Sequence, residues 1–195
     1  MNDKTLRALS VAMFAAALAA CGGGSSSSSG GGSSSSSGSS TITILYSFGG
    51  SDGANPEGTL IQGSDGNFYG TTDAGGSSAN CTGGCGTIFE FSPSSGTETV
   101  LYSFGKSGDG TSPTGLILGS DGNFYGTTVY GGSSANCTSG CGPIFEFSPS
   151  SGTETVLYSF TGSNGANPQW GLVQGSDGNF YGTTVYGGSS ANCTS

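Results

Sequence analysis

Beyond its first forty residues the chain is written in short apolar runs broken by Gly, Ser and Asp. In residues 97–104 (Thr-Glu-Thr-Val-Leu-Tyr-Ser-Phe), Val100, Tyr102 and Phe104 share one face at the two-residue period of a strand. Residues 58–63 and 67–72 predict two more strands, joined by Ser64-Asp65-Gly66, whose Asp-Gly pair is a strong hairpin signal. Residues 87–91 (Thr-Ile-Phe-Glu-Phe) predict another, followed by a turn at 92–96. A long Gly/Ser loop at 73–86 separates the second of these strands from the third. No helical period occurs outside the first twenty residues. The pattern is all-β, with four antiparallel strands in succession.

The same pattern returns. Tyr46-Ser47-Phe48 recurs at Tyr102 and Tyr158, which sets a repeat of 56 residues. Gly-Ser-Asp-Gly-Asn-Phe-Tyr-Gly-Thr-Thr begins at Gly63, Gly119 and Gly175. The copies span 46–101, 102–157 and, in part, 158–195. Each has a proline after a Gly/Ser/Asp loop (Pro56, Pro113, Pro168), one residue out of register in the middle copy. Tandem four-stranded units are the pattern of β-propeller blades, and the cysteine-bearing loop accounts for a repeat longer than the ~40–45 residues of a WD40 blade.

The phase of the repeat adds to this. Residues 41–48 match a fourth strand with no first three before it. The third copy stops in its cysteine loop. Propellers have about 4–8 blades, so residues 41–195 read as the opening fragment of a longer propeller.

The first forty residues differ in kind. Lys4 and Arg7 precede an apolar stretch, Ala8 to Ala20, that is too short to span a bilayer comfortably. It ends in Leu18-Ala19-Ala20-Cys21, which resembles the lipobox of bacterial lipoproteins. That resemblance implies a signal at 1–20 and lipidation of Cys21, hence a partner membrane reached through the lipid. Gly22 in the next position implies sorting toward the outer membrane or cell surface. Residues 22–40 are only Gly and Ser, a disordered tether with a reach of about 22–26 Å.

Charge narrows the partners. The chain carries 3 Lys+Arg against 12 Asp+Glu, a net charge of −9. With Lys4 and Arg7 in the signal, Lys106 is the single cation of the mature chain. Nucleic acid is excluded as a partner, because phosphates need cations to neutralise them. There is no histidine, which removes the commonest general base and metal ligand.

Five cysteines lie in the repeats. Cys81 with Cys85, and Cys137 with Cys141, are spaced Cys-x-x-x-Cys in one loop each, and predict local disulfides in an oxidising envelope. Cys193 opens a third pair whose partner would be residue 197. Four thiolates on a metal are the alternative, at a spacing uncommon for zinc. No metal and no cofactor are expected. Asp65, Asp121 and Asp177 read as turn residues, as do Asp52, Asp109 and Asn164; calcium would want several carboxylates per loop. Glu90 and Glu146 read as exposed strand-face residues. Repetition argues against their serving as the two opposed carboxylates of a glycosidase. No catalytic residue is assigned. Asn-Cys-Thr at 80, 136 and 192 matches a glycosylation acceptor and reads as idle here. Tyr69, Tyr125 and Tyr181 could stack on sugars, and more often such rings fill the space between blades.

Together, the Gly-Leu-Ile/Val core, Gly-Ser-Asp-Gly-Asn-Phe-Tyr-Gly-Thr-Thr, Ile-Phe-Glu-Phe and Leu-Tyr-Ser-Phe resemble the bacterial choice-of-anchor tandem repeat GloVer-containing proteins. The resemblance covers residues 41–195 and implies an exported, anchored repeat protein, with no activity to carry over. The expectation is an envelope lipoprotein displaying propeller repeats as a binding or structural module, not an enzyme, with a glycan or protein ligand. Two rivals remain. One is a carbohydrate-binding propeller. The other is a propeller-type lyase or hydrolase with its active site in further blades, since Asp-Gly-Asn-Phe-Tyr-Gly-Thr-Thr resembles streptogramin-lyase-like blades.

Overall fold

The computed structural model describes residues 6–10 and 42–188. Cys21, the Gly/Ser tether at 22–40 and Cys193 lie outside them. Among the described residues there is no helix. A short strand Leu6–Ser10 (β1), within the segment read as an export signal, pairs in parallel with Ile42–Ser47 (β2). The first repeat then folds as Ala54–Gln62 (β3), Phe68–Ala74 (β4), Thr87–Ser92 (β5) and Thr97–Ser103 (β6), an antiparallel sheet in sequence order. The second follows suit with Gly110–Leu118 (β7), Phe124–Gly131 (β8), Pro143–Ser148 (β9) and Thr153–Ser159 (β10). In the third, Val173–Gln174 (β11) and Phe180–Tyr181 (β12) form a short hairpin. The all-β class and four-stranded antiparallel units hold.

The first strand of each full repeat begins earlier than residues 58 and 114 would have it. Pro56 and Pro113 belong to the ladder, opposite Thr72 and Thr128. A proline lacks the ladder N–H, and β3 and β7 are edge strands, where one side needs no donor. The register offset of the middle proline also finds its place. Between Glu57 and Ile61 the strand bulges, and the second repeat has a smaller bulge between Pro113 and Gly115. The residue missing there is restored in the preceding loop, which is one residue longer from Phe104 to Asp109 than from Phe48 to Asp52. A bulge absorbs extra residues with little effect on the rest of the ladder.

Successive sheets stack through aromatic rings. Tyr69 of β4 lies on Phe124 of β8 at 4.6 Å between centroids, and Tyr125 on Phe180 at 4.2 Å. At the other end of the sheet Phe104 meets Phe145 edge-on at 5.1 Å. Phe48, just beyond β2, meets Phe89 in the same way at 4.9 Å. The leading strand therefore packs on the first repeat as β6 packs on the second, as its phase predicts. Tyr69 and Tyr125 are spacers between repeats, each 8 % exposed. Gly70, between Tyr69 and Thr71, is required sterically: a Cβ there would sit 2.8 Å from both Leu60 and Phe89.

Candidate functional site

In an up-and-down sheet the second-to-third loop and the exit loop to the next repeat share one edge. The disulfide loops lie at that edge. Cys81 is bonded to Cys85, and Cys137 to Cys141. Each cystine clasps the following repeat: Ser112 donates its backbone N–H to Cys85 O at 3.0 Å, and Asn167 to Cys141 O at 2.8 Å. Asn80 of the Asn-Cys-Thr triplet donates its amide to Gly105 O, and Asn136 to Thr161 O at 3.1 Å. These asparagines bridge repeats. The residues donating to the cystines, Ser112 and Asn167, have left-handed backbones (φ 59° and 54°), as does Asn55 (φ 54°). Each precedes one of the prolines.

Below this edge a tyrosine, an aspartate and a glutamate meet where β2 adjoins the first repeat and again where the first repeat adjoins the second. Tyr46 donates to Asp52 at 2.6 Å, and Tyr102 to Asp109 at 2.9 Å and to Glu154 at 3.3 Å. Burial, then the charge of Asp52, pushes the Glu98 carboxyl up to about 7. Burial, then Asp109, does the same to Glu154, which also rises to about 7. Glu98 Oε1 and Glu154 Oε1 are shut from solvent with no hydrogen-bond partner, so burial penalises the charged form of each. In the third copy Asn164 stands in for the aspartate and donates to Tyr158.

At the opposite edge the turns behave as turn chemistry predicts. Asp65 accepts from Tyr69 OH at 2.7 Å and from Asn67 N at 3.1 Å. Glu90 and Glu146 are not the exposed residues expected. They are half-buried and accept the side-chain amides of Asn67 and Asn123, because the register sets each against the hairpin turn of the neighbouring strand. Among the described residues no group of three or more His, Cys, Asp or Glu is placed to hold a metal ion.

Two cavities lie between repeats. One, of about 840 Å³, sits beside the second cystine and is lined by Tyr130, Asn136, Ser139, Asn167 and Tyr186. The other, of about 610 Å³, lies between β3, β7 and the segment at 169–172 that leads into β11, and Glu57, Thr59, Thr114, Gln169 and Trp170 line it. These strands approach closely: a Cβ on Gly58 would fall 2.5 Å from Thr114 O. Trp170 is 59 % exposed into this groove. Nothing in the strand pattern singled out these residues. The available signal was the difference between copies. They are nearly identical from the Gly-Ser-Asp-Gly turn to the end of the second strand and over the third and fourth strands. They diverge at Pro-Glu-Gly-Thr, Pro-Thr-Gly and Pro-Gln-Trp-Gly.

Residues 19–195 match the family model of the Gloeobacter/Verrucomicrobia repeat. The chain belongs to this family. The match runs through both full sheets and the third hairpin, in agreement with the resemblance carried by the repeat motifs. No curated protein matches the chain. Within the part matched by the Gloeobacter/Verrucomicrobia repeat family, the cystines and Tyr–Phe contacts recur between the first and second copies of this chain. The groove residues are where this member varies from one repeat to the next.

Proposed function

We propose that this chain is an exported, lipid-anchored protein that presents propeller-type repeats as a binding module on the cell envelope, and that it is not an enzyme. The observation that carries the reading is the pair of cystines, Cys81–Cys85 and Cys137–Cys141, because such bonds persist in oxidising compartments. The charged, then apolar segment ahead of Cys21 supplies the export signal. Cys21 takes the lipid, and residues 22–40 hold the repeats off the membrane. Blade-like sheets stacked through one recurring interface support the propeller architecture. Binding is favoured over catalysis because the repeated acids are engaged in structure: Asp65 with Tyr69, Asp109 with Tyr102, Glu90 with Asn67.

Metabolic labelling with a palmitate analogue, followed by membrane fractionation, tests the reading. The chain should be labelled and sediment with outer membranes, and Cys21→Ser should lose both the label and the sedimentation. Equal labelling of Cys21→Ser would reject the anchor.

A further inference from the structure

We infer that the groove between β3, β7 and residues 169–172 binds an uncharged saccharide, with Trp170 as the platform for a sugar ring. The inference rests on the reading of the repeats as a binding module and names the ligand class of that module. Three observations converge on it.

The first is where the copies differ. A repeat protein whose copies served only to stack would have little reason to vary one strand. Here the residue after the proline is Glu57 in one copy, Thr114 in the next and Gln169 in the third. All three line one cavity. The Thr114 hydroxyl is buried and bonded to Thr127, so the polar groups offered to the cavity at these equivalent positions are the Glu57 carboxylate and the Gln169 amide, an asymmetric pair on a repeating scaffold.

The second is Trp170. It is the single tryptophan of the chain, it stands where the other two copies have no aromatic residue, and it lines the cavity. A tryptophan face offers a large apolar platform with a quadrupole, the surface on which the C–H face of a pyranose stacks.

The third is the chemistry around the ring. Glu57 supplies acceptors only, Gln169 a donor pair and an acceptor, and Thr59 a hydroxyl that does either. No hydrogen bond within the protein engages the Glu57 carboxylate or the Gln169 amide among the described residues. Mixed donors and acceptors around one apolar face suit vicinal hydroxyls. A quaternary ammonium would call for a cage of several rings, and the groove holds one. The cavity, about 610 Å³, falls within the usual range for small-ligand sites.

Because Trp170 is the only tryptophan, its emission reads this groove alone. The full-length chain, solubilised in detergent, is titrated with neutral hexaoses of the cello-, xylo-, malto- and chito- series, and with choline. At least one hexaose should shift the emission saturably at millimolar concentration or below. By calorimetry, Trp170→Ala should weaken that hexaose about tenfold or more. Gln169→Ala and Glu57→Gln should weaken it several-fold, and Trp170→Phe should retain much of the affinity. Tyr130→Ala, in the other cavity, should leave it unchanged. Thermal melting of each variant separates a lost contact from a lost fold. Silence toward every hexaose, or a response to choline instead, overturns the inference. A hexaose that binds Trp170→Ala undiminished also overturns it, while leaving a saccharide-binding module with its site elsewhere. Loss of export in the lipid-labelling experiment would leave the groove result standing.

Discussion

Tyr69 lies on Phe124 across the boundary between the first and second repeats, with ring centroids 4.6 Å apart and the tyrosine hydroxyl tied back to Asp65 at 2.7 Å. One side chain thus joins a turn of its own sheet to the core of the next. Tyr125 repeats the arrangement on Phe180, with its hydroxyl on Asp121. Tyr181 has the hydroxyl bond to Asp177, but its ring is 52 % exposed, with no equivalent phenylalanine against it among the described residues.

The contrast gives a direct test. Tyr69→Ala removes a buried ring and leaves a cavity, and should destabilise the fold by about 3–4 kcal/mol. Tyr181→Ala should cost well under half of that. Urea denaturation of the two variants side by side checks the ratio. Equal losses would mean that the ring contact between repeats carries little.

Ser112 is the one residue before a repeat proline that is not asparagine. It holds a left-handed backbone, which asparagine tolerates better than serine. Asn167, its counterpart, also donates its side-chain amide to Val129 O at 2.9 Å. Ser112→Asn should therefore stabilise the chain by roughly 0.5–1 kcal/mol, through relieved strain and one added hydrogen bond. A lower melting temperature in this variant would count against the account.

Each cystine closes a very short loop, so its contribution through chain entropy is about 2 kcal/mol. Cys85 is buried, and its carbonyl holds Ser112, so losing the bond should loosen the junction as well as the loop. Cys81→Ser with Cys85→Ser should lower stability by about that amount and speed amide exchange at Ser112. Peptide mapping without reductant should recover Cys81 linked to Cys85. Free thiols in protein recovered from the envelope would contradict the pairing.

Stability should fall as the pH rises through neutrality. Glu98 and Glu154 hold their protons up to about 7 in the folded chain, well above an ordinary glutamate at about 4.3. Between these values the folded state binds more protons than the unfolded one, so stability declines as pH increases. The groups facing Glu98 are Asp52 and Tyr46; those facing Glu154 are Asp109, Tyr102 and Lys106. On the acid side the sign reverses. The Tyr69 and Tyr125 hydroxyls hold the carboxyls of Asp65 and Asp121 below the usual aspartate range, so that contribution is lost as pH falls through the aspartate range and below it. Glu98→Gln combined with Glu154→Gln should raise the melting temperature at pH near 8 and leave it nearly unchanged near pH 4. An equal gain at both would refute protonation as the cause.

Much of the scaffold was legible because its signals are local. Alternation in residues 97–104, Asp-Gly turns and a fixed period each name a strand or a turn without reference to distant residues. What escaped depended on neighbours. Pro56 reads as a strand breaker until the strand is known to be an edge. Glu90 looked exposed because its partner, Asn67, is brought to it only by the register of β4 and β5. No periodicity in the sequence brings Trp170 together with β3 and β7. The divergence between copies would have pointed to it.

The repeat boundary described above also bears on how such a chain changes length over generations. The two junctions between copies share a cystine carbonyl and a Tyr–Phe stack. An in-frame duplication or deletion of one whole copy would join two surfaces that already match, so recombination between near-identical copies could alter the number of repeats without any new interface having to evolve. Substitutions could meanwhile accumulate around the repeat proline and the residues that follow it, leaving each copy exchangeable at its borders and individual there.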